Sequence, residues 1–75
     1  MQHYTFTAQI ERDNEAGVYI GYVPALSGAH TQAKTLDELN ANLKEVVELC
    51  LEELTDDELS NLPEFVGFQQ IMVDR

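Results

Sequence analysis

The chain alternates hydrophobic and polar residues, changes to helical spacing, and then returns to extended-type runs. Over residues 3–12 (HYTFTAQIER), Tyr4, Phe6, Ala8 and Ile10 fall on one side, and His3, Thr5, Thr7, Gln9 and Glu11 on the other. This period of two predicts a half-buried strand. Residues 13–17 (DNEAG) carry turn chemistry, with Gly17 suited to positive φ. Residues 18–23 (VYIGYV) are rich in β-branched and aromatic side chains, and the five-residue connection predicts an antiparallel hairpin. Gly21 inside that second strand signals a bulge or a close backbone approach. Pro24 ends the strand, residues 25–28 form a loop, and residues 29–33 (AHTQA) are read as a third strand from context.

The periodicity then changes. Across residues 35–54 (TLDELNANLKEVVELCLEEL), Leu36, Leu39, Leu43, Val46, Val47, Cys50, Leu51 and Leu54 recur at three- and four-residue spacing. At about 100° per residue they occupy an arc of roughly 140°. Asn40 sits inside its edge, and Leu49 points well away. Thr35 is the predicted N-cap, with Glu38 three residues later completing a capping box. Thr55-Asp56-Asp57-Glu58 repeats that signature, so a short second helix to about Leu62 is expected before Pro63 stops it. Residues 65–73 (FVGFQQIMV) read as the last strand.

The predicted fold class is α+β, in the order β-β-β-α-(short α)-β, with one main helix on one face of a small antiparallel-rich sheet. One helix covers one face of such a sheet. The second and fourth strands are nevertheless apolar on both sides, so a second copy of the chain is expected to cover part of the open side. Tyr19, Val23, Phe65, Val66, Phe68 and Met72 are the candidate self-association residues.

Composition sharpens the picture. A chain of 75 residues forms one domain (1–75) with a small core, and its 44% hydrophobic content argues for a folded chain. The single cysteine excludes an internal disulfide, and Cys50 lies on the apolar stripe, where a small core residue is expected. No apolar run approaches the length of a membrane span, and the N-terminus does not read as a signal peptide, so a cytoplasmic location is expected. Fourteen acidic against four basic residues give a formal charge of −10. Ten of the fourteen lie between Asp37 and Glu64, where Lys44 is the only basic residue. Direct nucleic-acid binding is not expected from this balance, because phosphate contacts need clustered Lys and Arg. A basic protein partner fits it, since opposite charge steers docking.

The helix charges point the same way. Asp37 and Glu38 sit where the macrodipole favours them, whereas Glu45, Glu48, Glu52 and Glu53 crowd the end where it does not. Glu45–Glu48 and Glu48–Glu52 are like-charge neighbours. A solvated face that maintains solubility explains this, and so does a surface shaped to meet something basic.

Catalytic chemistry has little support. His3 and His30 have no partner of known geometry, and ordinary polar sheet positions account for both. No closely spaced His or Cys pair suggests zinc, and Asp13-x-Glu15 lacks the other ligands of a calcium loop. The glycines are isolated, so no phosphate-cradling loop is implied. No catalytic residue, metal site or cofactor is expected, and the chain is read as a non-enzyme.

The blocks GVYIGYVP (17–24), GAHTQ (28–32), TLDEL (35–39) and NLKE (42–45), closed by FVGFQQ (65–70), resemble the HicB-type antitoxins over nearly the whole chain. That resemblance implies a partial ribonuclease-H-like fold of three strands, a helix and a fourth strand, without ribonuclease activity. It implies a partner, HicA, a small basic toxin with a double-stranded-RNA-binding-like fold that cleaves mRNA using a histidine. Two features depart from the family. Longer members carry a C-terminal DNA-binding module, which this chain is expected to lack, and position 33 is Ala where relatives commonly have Gly.

The leading expectation is therefore an antitoxin of a type II toxin–antitoxin system. Glu45, Glu48, Glu52, Asp56 and Asp57 are the candidate toxin-binding residues, chosen by charge. One alternative is a solitary homodimeric HicB-like module without a cognate toxin. Another is a residual hydrolase of the ribonuclease-H type, which needs acidic residues converging from strands onto metal ions. Among the predicted strand interiors only Glu11 is acidic, which disfavours it.

Overall fold

The structure is a computed structural model that describes residues 4–75. His3, the first residue of the predicted first strand, lies outside them. Three strands, β1 (Gln9–Asp13), β2 (Val18–Tyr22) and β3 (His30–Ala33), precede helices α1 (Leu36–Glu53) and α2 (Asp56–Ser60). The sheet is antiparallel in the order β1-β2-β3. This is the expected α+β layout, with one main helix packed on one face of a small sheet.

The hairpin between β1 and β2 closes on Asp13. Its carboxylate accepts from the amides of Glu15 (3.0 Å) and Ala16 (3.2 Å), while its carbonyl accepts from Gly17 N–H at 2.8 Å. Such Asx capping by a short side chain is what fits Asp to this position. β1 is shorter than the alternation over 3–12 suggests, and the reason lies in its partner. Gln9 pairs with Tyr22. Beyond Tyr22, the amide of Val23 donates to Ala29 at 2.9 Å to close the next loop, and Pro24 has no N–H to offer. Residues 4–8 therefore lie outside the ladder.

Side-chain parity decides which face meets the helix. Gly21 lies under α1 so closely that a Cβ there would stand 2.9 Å from Leu43 Cδ1 and 3.3 Å from Leu39 Cδ2. Gly21 thus marks a close approach, made by the side chains of Leu39 and Leu43 rather than by another backbone. Tyr19 and Val23 share its side of β2, leaving Val18, Ile20 and Tyr22 on the open face. The core consists of Val23, Leu26 and Ala29 in one cluster and Ala33, Leu39 and Leu43 in another. Leu39 is fully enclosed. Val46, Val47, Cys50, Leu51 and Leu54 are half-buried against the first cluster, whereas Leu36, at the start of the stripe, is exposed. α1 packs chiefly across β3 and next across β2, so β1 stands at the margin of its cover.

Both helices start at the predicted N-caps, but at α1 only half of the predicted capping box forms. Thr35 Oγ1 accepts from Glu38 N–H at 3.1 Å. At α2 the reciprocal box is complete: Glu58 N–H donates to Thr55 Oγ1 at 3.2 Å, and Thr55 N–H donates to Glu58 Oε1 at 3.0 Å. The second helix ends at Ser60, near the expected Leu62.

The fourth strand is the correction. Residues 65–73 pair with no strand of the sheet, and every residue from 63 to 75 is exposed. The segment is apolar on both faces, and a sheet carrying one helix offers a single chain only one covered side.

Candidate protein-docking site

Two surfaces stand out, one charged and one apolar. The charged surface is the solvent side of α1, with the acidic first turn of α2 following it in the chain. Glu45, Glu48 and Glu52 project from α1 within an arc of roughly 60° at 100° per residue, and all three are exposed. Asp56 and Asp57 follow in the first turn of α2, also exposed, and neither helix has a basic residue in its last turn. In the first turn of α2, Glu58 is tied to its N-cap residue Thr55. Hydrogen bonds from the Thr55 backbone, then from its side chain, hold the Glu58 carboxyl below the ordinary value of 4.5. On α1 the macrodipole is opposed by the carboxylates, so that end of the helix presents uncompensated negative charge.

The apolar surface is a trough of about 540 Å³ running between residues 4–8 and α1. Phe6, Ala8, Val23, Leu43, Val47 and Leu51 form its floor and walls, and Asn40, Lys44 and Glu48 stand along its rim. Glu48 thus belongs to the acidic side and to the trough margin at once. α1 also stops short of β1: Ile10, opposite Gly21 in the ladder, is 51% exposed on the side facing the helix.

Of the candidate self-association residues, four sit together on the C-terminal tail: Phe65, Val66, Phe68 and Met72 are all exposed. Phe65 and Phe68 touch edge to face, with centroids 5.2 Å apart. The other two lie elsewhere. Val23 is a core residue, 3% exposed, and Tyr19 is half-buried beneath the Arg12 guanidinium, 5.0 Å from its ring centroid. Both share the helix side with Gly21, which removes Val23 from any surface. The trough itself was missed from the sequence. Its signal is an apolar arc on the helix wider than a narrow three-stranded sheet can absorb, together with the Phe6-x-Ala8-x-Ile10 alternation.

His30 is exposed on β3, and Cys50 is a free, half-buried thiol within the helix stripe. Among the described residues, no group of three or more His, Cys, Asp or Glu is placed to hold a metal ion, and no helix is long and apolar enough to cross a membrane.

Residues 5–66 match the Domain of unknown function (DUF1902). The chain is 48% identical over 73 residues to the UPF0150 protein ssr1258 of Synechocystis sp., covering 97% of this chain and all of that protein. This chain belongs to the UPF0150 family. A UPF0150 protein of Thermotoga maritima is 49% identical over 69 residues, covering 92% of this chain and 89% of the relative. Another, from Archaeoglobus fulgidus, is 47% identical over 68 residues, with 91% and 93% covered. No solved structure matches the chain significantly. The domain match takes in β1 to α2 and stops at Val66, at the root of the exposed tail of this UPF0150 protein.

Proposed function

We propose that this UPF0150 protein is a HicB-type antitoxin, a non-enzymatic cytoplasmic module that binds and neutralises a small basic mRNA-cleaving toxin of the HicA type. The observation that carries the reading is the acidic outer side of α1 and α2, where Glu45, Glu48, Glu52, Asp56 and Asp57 are all exposed. With a formal charge of −10 behind it, this side attracts a basic protein over distances of about a Debye length and orients it before contact. Binding there covers the RNA-binding surface or the histidine of such a toxin, and inhibition follows from occlusion. No catalytic group of the antitoxin takes part.

The test is co-purification of the tagged chain from its native lysate at moderate salt, with captured proteins identified by mass spectrometry. A small basic HicA-type protein recovered in near-equal amount supports the proposal. Recovery of the chain's own copies alone favours the solitary homodimeric module, and the acidic side then reverts to a device for solubility.

A further inference from the structure

The molecule exposes more surface than a chain of its size should. Its accessible surface is 6525 Å², whereas a compact 8.5 kDa monomer is expected near 4,700 Å². Its radius of gyration is 14.4 Å, against about 11 Å for a compact domain of this length. The tail is a large part of both excesses. Val66 and Met72 are 90% and 92% exposed, with Phe68, Ile71 and Val73 also open to water. Monomeric proteins rarely leave contiguous apolar surface of this kind uncovered.

The same chain carries an uncovered receptor for such a segment. Among the described residues, β1 is an edge strand with no strand beside its outer N–H and C=O groups, and such an edge is a template for strand addition. Just before β1 in the chain, Phe6 and Ala8 wall the trough with Leu43, Val47 and Leu51. Residues 65–73 contain no charged side chain, so they enter a strongly acidic molecule without repulsion. A basic partner is suited to the helix carboxylates and gains nothing from this neutral strip.

We infer that residues 65–73 of one copy add as a strand to the β1 edge of a second copy, with one apolar face filling that copy's trough, in a reciprocal exchange of tails. Several features favour a second copy over the chain's own edge. The segment is apolar on both faces, the signature of a strand buried on two sides, and only another chain supplies the second cover. Phe65, Val66 and Gly67 root the tail beside Tyr4 to Thr7, and Gly67 holds φ at +148°, a conformation that L side chains rarely adopt. The link between α2 and the tail is short and contains Pro63, and short hinges of this kind favour exchange over closure. Area is available: on each tail Phe65 and Phe68 are 47% and 68% exposed, and Val66, Ile71, Met72 and Val73 are more open still. A standard interface buries roughly 1,600 Å² in total, and these apolar side chains from two tails are what each copy offers toward it.

The experiment is the molar mass of the purified full chain by sedimentation equilibrium, wild type and variants, with far-UV circular dichroism to confirm folding. Wild type is expected at two chains or a multiple of two. The tail variant Phe68→Asp/Ile71→Asp and the edge variant Ile10→Lys are each expected at one chain. Mixing the two is expected to restore a two-chain species, because one supplies an intact edge and the other an intact tail. Val66→Asp/Met72→Asp, at the two most exposed tail positions, provides a second tail variant that leaves the single-chain core untouched. Wild type at one chain means the tail closes on its own edge, or waits for a different protein, and overturns the inference. So does a tail variant that keeps the wild-type mass, or a mixture that stays at one chain.

Discussion

Single side chains decide how closely α1 settles on the sheet. Gly21 is required by contact, since any Cβ at that position presses on Leu43 and Leu39. Gly21→Val forces Leu43 from its place and should cost about 1–3 kcal/mol, read as a lower urea midpoint with an unchanged slope. The capping pair at α2 makes a separate prediction. Hydrogen bonding to Thr55 favours the ionised Glu58 carboxyl in the folded helix, so its folded pKa lies below its unfolded one. Stability from the pair is therefore present above the ordinary value of 4.5 and lost as pH falls through the lowered folded value. The Thr55 amide resonance should titrate with a midpoint below 4.5, and this titration should vanish in Glu58→Gln.

Elements differ in how much holds them. Leu39 is the only large side chain among the described residues to be wholly enclosed, and Leu39→Ala should destabilise the chain by about 2–5 kcal/mol through lost burial and the cavity left behind. Leu49→Ala, on the exposed side of the same helix, should change stability by no more than about 0.5 kcal/mol. Denaturant titration of the two variants checks both. This contrast was legible in the sequence, because the three-and-four spacing already set Leu49 outside the stripe. The hairpin and the helix caps were legible because each is set by residues close in sequence, whereas the choice between a bulge and a close approach at Gly21 waits on Leu39 and Leu43, far along the chain. The fate of residues 65–73 was not. Their pattern announces a strand, but a strand needs a neighbour, and which edge supplies it depends on where α2 and Pro63 deliver the chain. The side on which Val23 lies was misjudged too, since alternation gives two faces without saying which one the helix takes. The candidate docking residues divide along the same line. Charge placed the glutamates and aspartates on the solvent side from helical spacing alone, whereas the trough emerges only once α1 is known to favour β3 over β1.

At the scale of the whole molecule, charge and apolar surface occupy different places. The acidic side of α1 and α2 offers long-range attraction without burial, and the tail and trough offer burial without charge. On the proposed reading, the first meets a basic toxin and the second joins copies of the antitoxin. Association with the toxin should then slow by about tenfold or more as ionic strength rises from roughly 0.01 to 1 M, over which the Debye length falls from about 30 to 3 Å. Glu48→Lys/Glu52→Lys should flatten that dependence, which stopped-flow mixing measures directly. Glu48 also stands on the rim of the trough, so the sedimentation mass of the same variant shows whether the two surfaces are separable. The most direct test of the account is the rate at which the co-purified HicA-type toxin cleaves mRNA, followed as this chain is titrated into the reaction. Cleavage should fall to background near a stoichiometric ratio, and Glu48→Lys/Glu52→Lys should require a clear excess to do the same. Cleavage that continues undiminished under an excess of the wild-type chain would contradict it.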